Sequence, residues 1–160
     1  METYQVGLIA LGVFGIFVII ASVTWRRRIS AQQLVLAVPV ALESSSGGNS
    51  CLYVATTFSD RPLERVIAHG LAHRGHARLA ITRYGLEVSR TGELSFLIPI
   101  ADLLELTLGS AVIDRAVEKQ GLVVIKWRLG AVELQTHFRF VDSTLRLETI
   151  DALRPLLGAR

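Results

Sequence analysis

Three of the chain's four histidines fall in one stretch, RPLERVIAHGLAHRGHAR, residues 61–78. On a helix His69 and His73 would share a face, with His76 following within reach. Neutral imidazoles so placed are zinc ligands. Against that chemistry, Gly70 and Gly75 weaken a helix, no cysteine is near, and Glu64 is the one carboxylate in the stretch. The same residues carry a second chemistry. Arg61, Arg65, Arg74 and Arg78 accompany the histidines against that single acid. Together with His69, His73 and His76 they would form a basic rim for anionic lipid headgroups, strengthened as the histidines protonate. A third reading is a solvated, partly helical insertion in which Val66, Ile67 and Leu71 cover core. No metal site is expected.

Catalysis finds little support elsewhere in the chain. Gly70 and Gly75 are not followed by Lys-Ser or Lys-Thr, so there is no phosphate loop, and no Gly-x-Ser-x-Gly elbow occurs. Cys51 adjoins a polar segment without a histidine nearby in sequence, and a single cysteine makes no intrachain disulfide. Asp102, Asp114 and Asp142 suit turns or caps. Neither an enzyme nor a cofactor is expected. The net charge of +3 falls close to neutral without Arg26, Arg27 and Arg28, so no nucleic-acid partner is indicated.

These residues must be positioned by two different kinds of element. The first is the apolar run VGLIALGVFGIFVIIASVTWRRR, residues 6–28. Roughly 20 apolar residues in a helix cross the hydrocarbon of a bilayer. A secretory signal would carry its positive charge before the run and a small-residue cleavage site after it. Here only Glu2 precedes, three arginines follow, and Ala21-Ser22-Val23 is a poor cleavage site. Residues 1–28 are therefore expected to be an integral anchor with one span, about 6–25. Trp25 suits the headgroup level, with Tyr4 opposite. Arg26, Arg27 and Arg28 place the flanking side in the cytoplasm, leaving the N-terminus outside the plasma membrane. The same arginines attract anionic lipid by about 1 kcal/mol per charge.

Residues 29–50 read as a juxtamembrane segment and linker. Helix is allowed as far as Val38, Pro39 interrupts it, and ESSSGGNS (43–50) has flexible-linker composition. From residue 51 the apolar period becomes two. CLYVATTF, ARLAIT, GLEVSR, ELSFLIPI and ADLLELTLG read as strands parted by short turns, the last with Leu104, Leu106 and Leu108 on one face. Residues 109–120 form a longer charged connection. Val123, Ile125, Trp127 and Leu129 then alternate against Lys126 and Arg128, and the set repeats beyond Gly130, as a half-buried antiparallel hairpin requires. Trp127 is expected in the core. Last comes a helix capped by Asp142 or Ser143, with an apolar stripe of Leu147, Ile150, Leu153 and Leu157, ended or kinked near Arg154 by Pro155.

Seven short strands and one amphipathic helix over 51–160 make a mainly β, α+β domain, a barrel or sandwich plugged by the helix. The order of parts resembles the bacterial pleckstrin-homology-like (PH-like) family. ARLAITRYGLEVSR, LIPIADLLEL and GLVVIKWRLGAVELQTHFR with the closing helix are similar to small single-pass actinobacterial membrane proteins bearing such a domain. The helix lacks that fold's usual tryptophan, and the first hairpin lacks a close Lys/Arg set, so the resemblance extends to fold and not to inositol phosphates.

The resemblance implies a non-catalytic protein-interaction or scaffold module at the cytoplasmic membrane surface. Its alternatives are an anionic-lipid module working through 61–78, or an accessory subunit of a transport or export system, which needs a further membrane partner because one span forms no pathway. A reporter fused behind Leu157 is expected to be active inside the cell. Activity outside, or a mature chain cut near Ala21, would overturn the anchor and its orientation.

Overall fold

The computed structural model describes residues 3–42, 47–109 and 122–158. They form two compact units that divide between Val35 and Leu36. The first is helix α1, Thr3–Val35. Its 33 residues give a length of about 50 Å, and Gly7–Val35 is long and apolar enough to cross a membrane. Apolar side chains such as Ile9, Phe14, Phe17 and Ile20 are exposed all around it. The Thr24 hydroxyl, polar within an apolar run, donates to the Ile20 carbonyl at 2.8 Å and so needs no water. The helix continues past the arginines but stops three residues short of Val38.

The second unit begins at Leu36, upstream of the boundary expected near residue 50. Leu36 is buried in the core, and β1 (Val40–Ala41) pairs with Leu97 and Phe96. Residues 36–42 thus belong to the folded unit. Of the Ser/Gly-rich stretch expected to be a linker, 43–46 lie outside the described residues.

The remaining strands follow the alternation of the sequence: β2 (Asn49–Phe58), β3 (Gly75–Thr82), β4 (Gly85–Arg90), β5 (Phe96–Pro99), β6 (Leu103–Gly109), β7 (Leu122–Leu129) and β8 (Val132–Arg139). Among the described residues they make one antiparallel sheet in the order β1-β5-β4-β3-β2-β8-β7-β6, eight strands where seven are expected, with no pairing between the two end strands. The sheet folds over on itself. Four strands separate β5 from β7, yet Phe96 and Trp127 stack with ring centroids 5.7 Å apart. The apolar faces of the two halves therefore meet as a sandwich. Tyr53 and Phe138 pack edge to face in the same core, and each such buried ring stabilises the fold by about 1.5–3 kcal/mol.

A bulge between Leu103 and Glu105 shifts the register, and beyond it Leu106 and Leu108 lie on the same face as their buried partners Ile125 and Val123, with Leu108 50% exposed. Two expectations for the last helix are corrected. Helix α2 (Ser143–Gly158) starts as expected, with the Thr144 N–H donating to Asp142 Oδ1 at 2.8 Å. Its buried stripe is shifted: Ile150 and Leu153 are inside, Leu147 is exposed, and Thr149 is buried instead. Thr149 is admitted because its hydroxyl donates to Leu145 O at 2.7 Å and accepts from Asn49 Nδ2 at 3.0 Å, tying helix to sheet. Pro155 does not end α2, which runs on to Gly158. One missing N–H so near the C-terminus interrupts only the final turn.

The turn from β3 to β4 depends on Gly85, whose φ is 146°. A Cβ there would fall on the carbonyl oxygen of Ile98, its β5 neighbour. Gly85→Ala is expected to cost about 2–4 kcal/mol, seen as a lower thermal midpoint of the purified chain. An unchanged midpoint would contradict this packing.

Candidate functional site

The chain leaves β2 after Phe58 and doubles back beside it. Phe58 N–H donates to Glu64 O at 3.2 Å, Val66 N–H to Thr56 O at 2.9 Å and Thr56 N–H to Leu71 O at 3.0 Å. This pairing with β2, not a helix, shapes residues 61–74. A single 3-10 turn, Ala68–Gly70, interrupts it. Val66, Ala68 and Leu71 are fully buried and Ile67 partly so, which makes the segment a lid on the core. His69 (φ 56°) and Gly70 (φ 68°) are both left-handed, so the chain reverses direction there.

The reversal disperses the histidines. His69 Nε2 lies 3.4 Å from Leu36 O. His73 Nδ1 lies 2.9 Å from Glu93 Oε1, in the turn between β4 and β5. His76 is exposed on β3, opposite Leu52. Among the described residues no three His, Cys, Asp or Glu side chains are grouped to hold a metal. The arginines are dispersed likewise. Arg61 binds Glu64 at 2.7 Å and Asp60 at 3.2 Å, with its guanidinium 4.6 Å over the Phe58 ring. Arg65 bridges to Thr57, Arg74 is exposed, and Arg78 is exposed on β3 two residues beyond His76. On α1, Trp25, Arg26 and Arg27 are exposed, and Arg28 lies in the same helix. Of the residues of 61–78, His76 and Arg78 share a face of β3, while Arg61 is engaged by Asp60 and Glu64 and His73 by Glu93.

The residue that holds this segment is Arg90, which the sequence reading did not single out. It is only 5% exposed. Its Nη2 donates to Gly70 O at 3.0 Å and His73 O at 2.9 Å, and its guanidinium lies 4.1 Å over the Tyr53 ring. Arg90 Nε and Nη1 are buried without a partner among the described residues. The Tyr53 hydroxyl donates to Leu71 O at 2.7 Å and meets Thr56 Oγ1 at 2.5 Å. Thr56 Oγ1 in turn meets Thr136 Oγ1 at 2.8 Å, where Trp127 Nε1–H also donates at 2.8 Å. A polar line thus crosses the core from the lid to β7. The one signal in the sequence was parity: Leu86, Val88 and Arg90 alternate onto the same inner face.

Burial sets the titration of these groups. It pushes the Cys51 thiol up to about 12, leaving no thiolate for chemistry. It also pushes the Tyr53 hydroxyl up to about 12, against hydrogen bonding from Thr56 and the nearby Arg90 charge. His137, whose Nε2 lies 3.2 Å from Thr57 Oγ1, is held below the usual imidazole value, first by burial and then by the Arg65 charge.

The order of strands, the folding-over of the sheet and the C-terminal helix correspond to one known arrangement. A family model described as bacterial PH domain-like matches residues 23–154. The chain belongs to the bacterial PH domain-like family. The match takes in Trp25–Arg28 and all of 29–50 as well as the sheet and most of α2. No curated protein and no solved structure matches the chain. Membership in the PH-like family points to an interaction module.

His137 supplies a pH test of the domain. The folded chain takes up this proton at lower pH than the unfolded chain does. The stability it contributes is full above the ordinary value of 6.5 and is lost as pH falls through its lowered folded value. His137→Gln is expected to flatten the loss of urea stability between about pH 7 and 5, spanning the ordinary imidazole range. Equal slopes in the two proteins would refute the assignment.

Proposed function

We propose that the chain is a single-pass, non-catalytic interaction module. Its N-terminal helix holds it in the plasma membrane, amino terminus outside, and its PH-like domain binds a protein partner at the cytoplasmic surface. The arginine flank at 26–28 supports that orientation. The anchor is residues 1–28. The PH-like domain, read from the sequence as 51–160, takes in the compact unit that begins at Leu36.

The observation that carries this reading is the free edge of β6. Among the described residues β6 pairs only with β7, so the main-chain groups along its outer side face no strand. It is seven residues long, Leu108 on it is 50% exposed, and α2 packs beside it. An extended peptide can add to such an edge, main-chain hydrogen bonds giving affinity and neighbouring side chains specificity. The opposite edge, β1, has two residues and is too short to template a strand. A domain whose folded unit begins directly after the helix is confined near the bilayer, which raises its effective concentration for membrane-associated partners. Service as an accessory subunit of a transport system is one form such a partnership takes.

A photo-crosslinking residue at Leu108 of the full chain in its native membrane is expected to give one discrete protein adduct. The adduct should be absent with the crosslinker at Tyr84, which is 60% exposed on the β3–β4 turn, and lost on Thr107→Pro, which obstructs the edge. Adducts equal at the two positions, or none at Leu108, would refute binding at this edge.

A further inference from the structure

Beyond its bulge, β6 pairs regularly with β7 over residues 105–109. Side chains there alternate. Leu106 and Leu108 lie on the face of their buried partners Ile125 and Val123, the first partly buried and the second half-exposed. Glu105 and Thr107 are exposed on the other face, where the Thr107 hydroxyl donates to Glu105 Oε1 at 3.4 Å. The stretch reads Glu-Leu-Thr-Leu-Gly, nearly the same in either direction. An antiparallel neighbour runs in reverse, so a second copy of this stretch meets the first in kind. With Thr107 opposite Thr107 on a twofold axis, Leu106 of each copy faces Leu108 of the other, and Glu105 faces Gly109. The leucine pairs bury apolar surface, the threonines can hydrogen-bond, and no acid opposes an acid. Gly109 is bare because a Cβ there would stand 3.0 Å from Val124 Cγ2, and that leaves room for the facing Glu105. A slip of one residue would turn the inner face of one copy to the outer face of the other.

We infer that the strand that adds to β6 is β6 of a second copy of this chain, giving a twofold dimer with one sheet running through both domains. The inference rests on the reading of β6 as a strand-accepting edge and names its occupant. Three features select a second copy. The first is the symmetry of 105–109, which an unrelated peptide would not require. The second is the anchor: two copies carry the same length of chain between span and β6, so the bilayer holds both edges in one layer at raised effective concentration. The third is closure. Natural sheets guard a free edge with lysine, proline or a bulge, and 105–109 has neither lysine nor proline, with the bulge lying at its start. Pairing consumes both β6 edges and leaves a two-residue β1 at either end, so assembly stops at two and does not grow into a fibre.

The test uses full chains with two different tags, co-expressed and solubilised from their native membrane. Capture on one tag is expected to bring down the other. Thr107→Lys in both chains sets two cations face to face on the axis, and Thr107→Glu sets two carboxylates there. Either substitution alone is expected to cut co-capture at least fivefold. A Thr107→Lys chain expressed with a Thr107→Glu chain should restore at least half the native level, which a loss of folding would not allow. Mild oxidation should join Leu106→Cys chains to Leu108→Cys chains at least threefold more than either to itself, since a disulfide reaches only closely opposed positions. Cys51 is buried and stays out of the reaction. Absence of co-capture between native chains, co-capture that survives Thr107→Lys as pairing through the anchors would, or no restoration in the mixed pair overturns the inference. An adduct from the crosslinker at Leu108 with the mass of a different protein also overturns it, while leaving β6 as a docking edge. No adduct at all removes both readings.

Discussion

Buried polar groups must be satisfied inside the fold, and this domain is arranged around that constraint. The indole N–H of Trp127, the hydroxyls of Thr136, Thr56 and Tyr53, and the carbonyl of Leu71 form one chain of short contacts through the core. Each link contributes only about 0.5–1.5 kcal/mol net, but an orphaned member costs about 1–3 kcal/mol. That asymmetry fixes more than the core. Because Leu71 O is the terminal acceptor, the irregular segment after β2 must return to one place. Val66, Ala68 and Leu71 then close the core there, and the histidines meet different neighbours: His69 lies near Leu36 O, His73 pairs with Glu93 and His76 stands exposed on β3.

The regular part of this architecture was legible because half-buried strands advertise themselves. Period-two alternation located β2, β3, β4, β7 and β8 to within a residue or two, and stacked faces need nothing beyond that pattern. What escaped lacked a period. Strand β1 has two residues, too few to alternate, and Leu36 is inside although its neighbours give no signal. The histidine spacing suggested a helix, but i,i+4 spacing is local information. The pairing of 64–66 with β2 is not, and it prevailed. On α2 an apolar count favoured Leu147 over Thr149. The partner that admits Thr149 is Asn49, a hundred residues away in sequence, which no window on the helix can see.

Along 61–78 the residue types were legible in the sequence and their neighbours in space were not. Of His69, His73, His76 and the four arginines of 61–78, His76 and Arg78 share one face of β3. Arg139 joins two of them because β2 lies between β3 and β8 in the sheet. Adjacency of that kind follows from topology.

Arg90 shows how such a fold spends stability on position. Burying a guanidinium is costly, and two of its N–H groups have no partner among the described residues. Against this stand two charge-assisted hydrogen bonds and the Tyr53 ring, the latter contributing about 2 kcal/mol when desolvated. Gains and losses are of the same size, so an apolar residue of similar volume would serve stability about as well. It would not hold the carbonyls of Gly70 and His73 together. Those two flank the sharp reversal begun by left-handed His69, a conformation that costs about 1–2 kcal/mol in a non-glycine residue. The guanidinium therefore acts on the choice among loop conformations more than on the depth of the folded state. It keeps the lid in the one geometry that returns Leu71 to the core and presents His73 to Glu93.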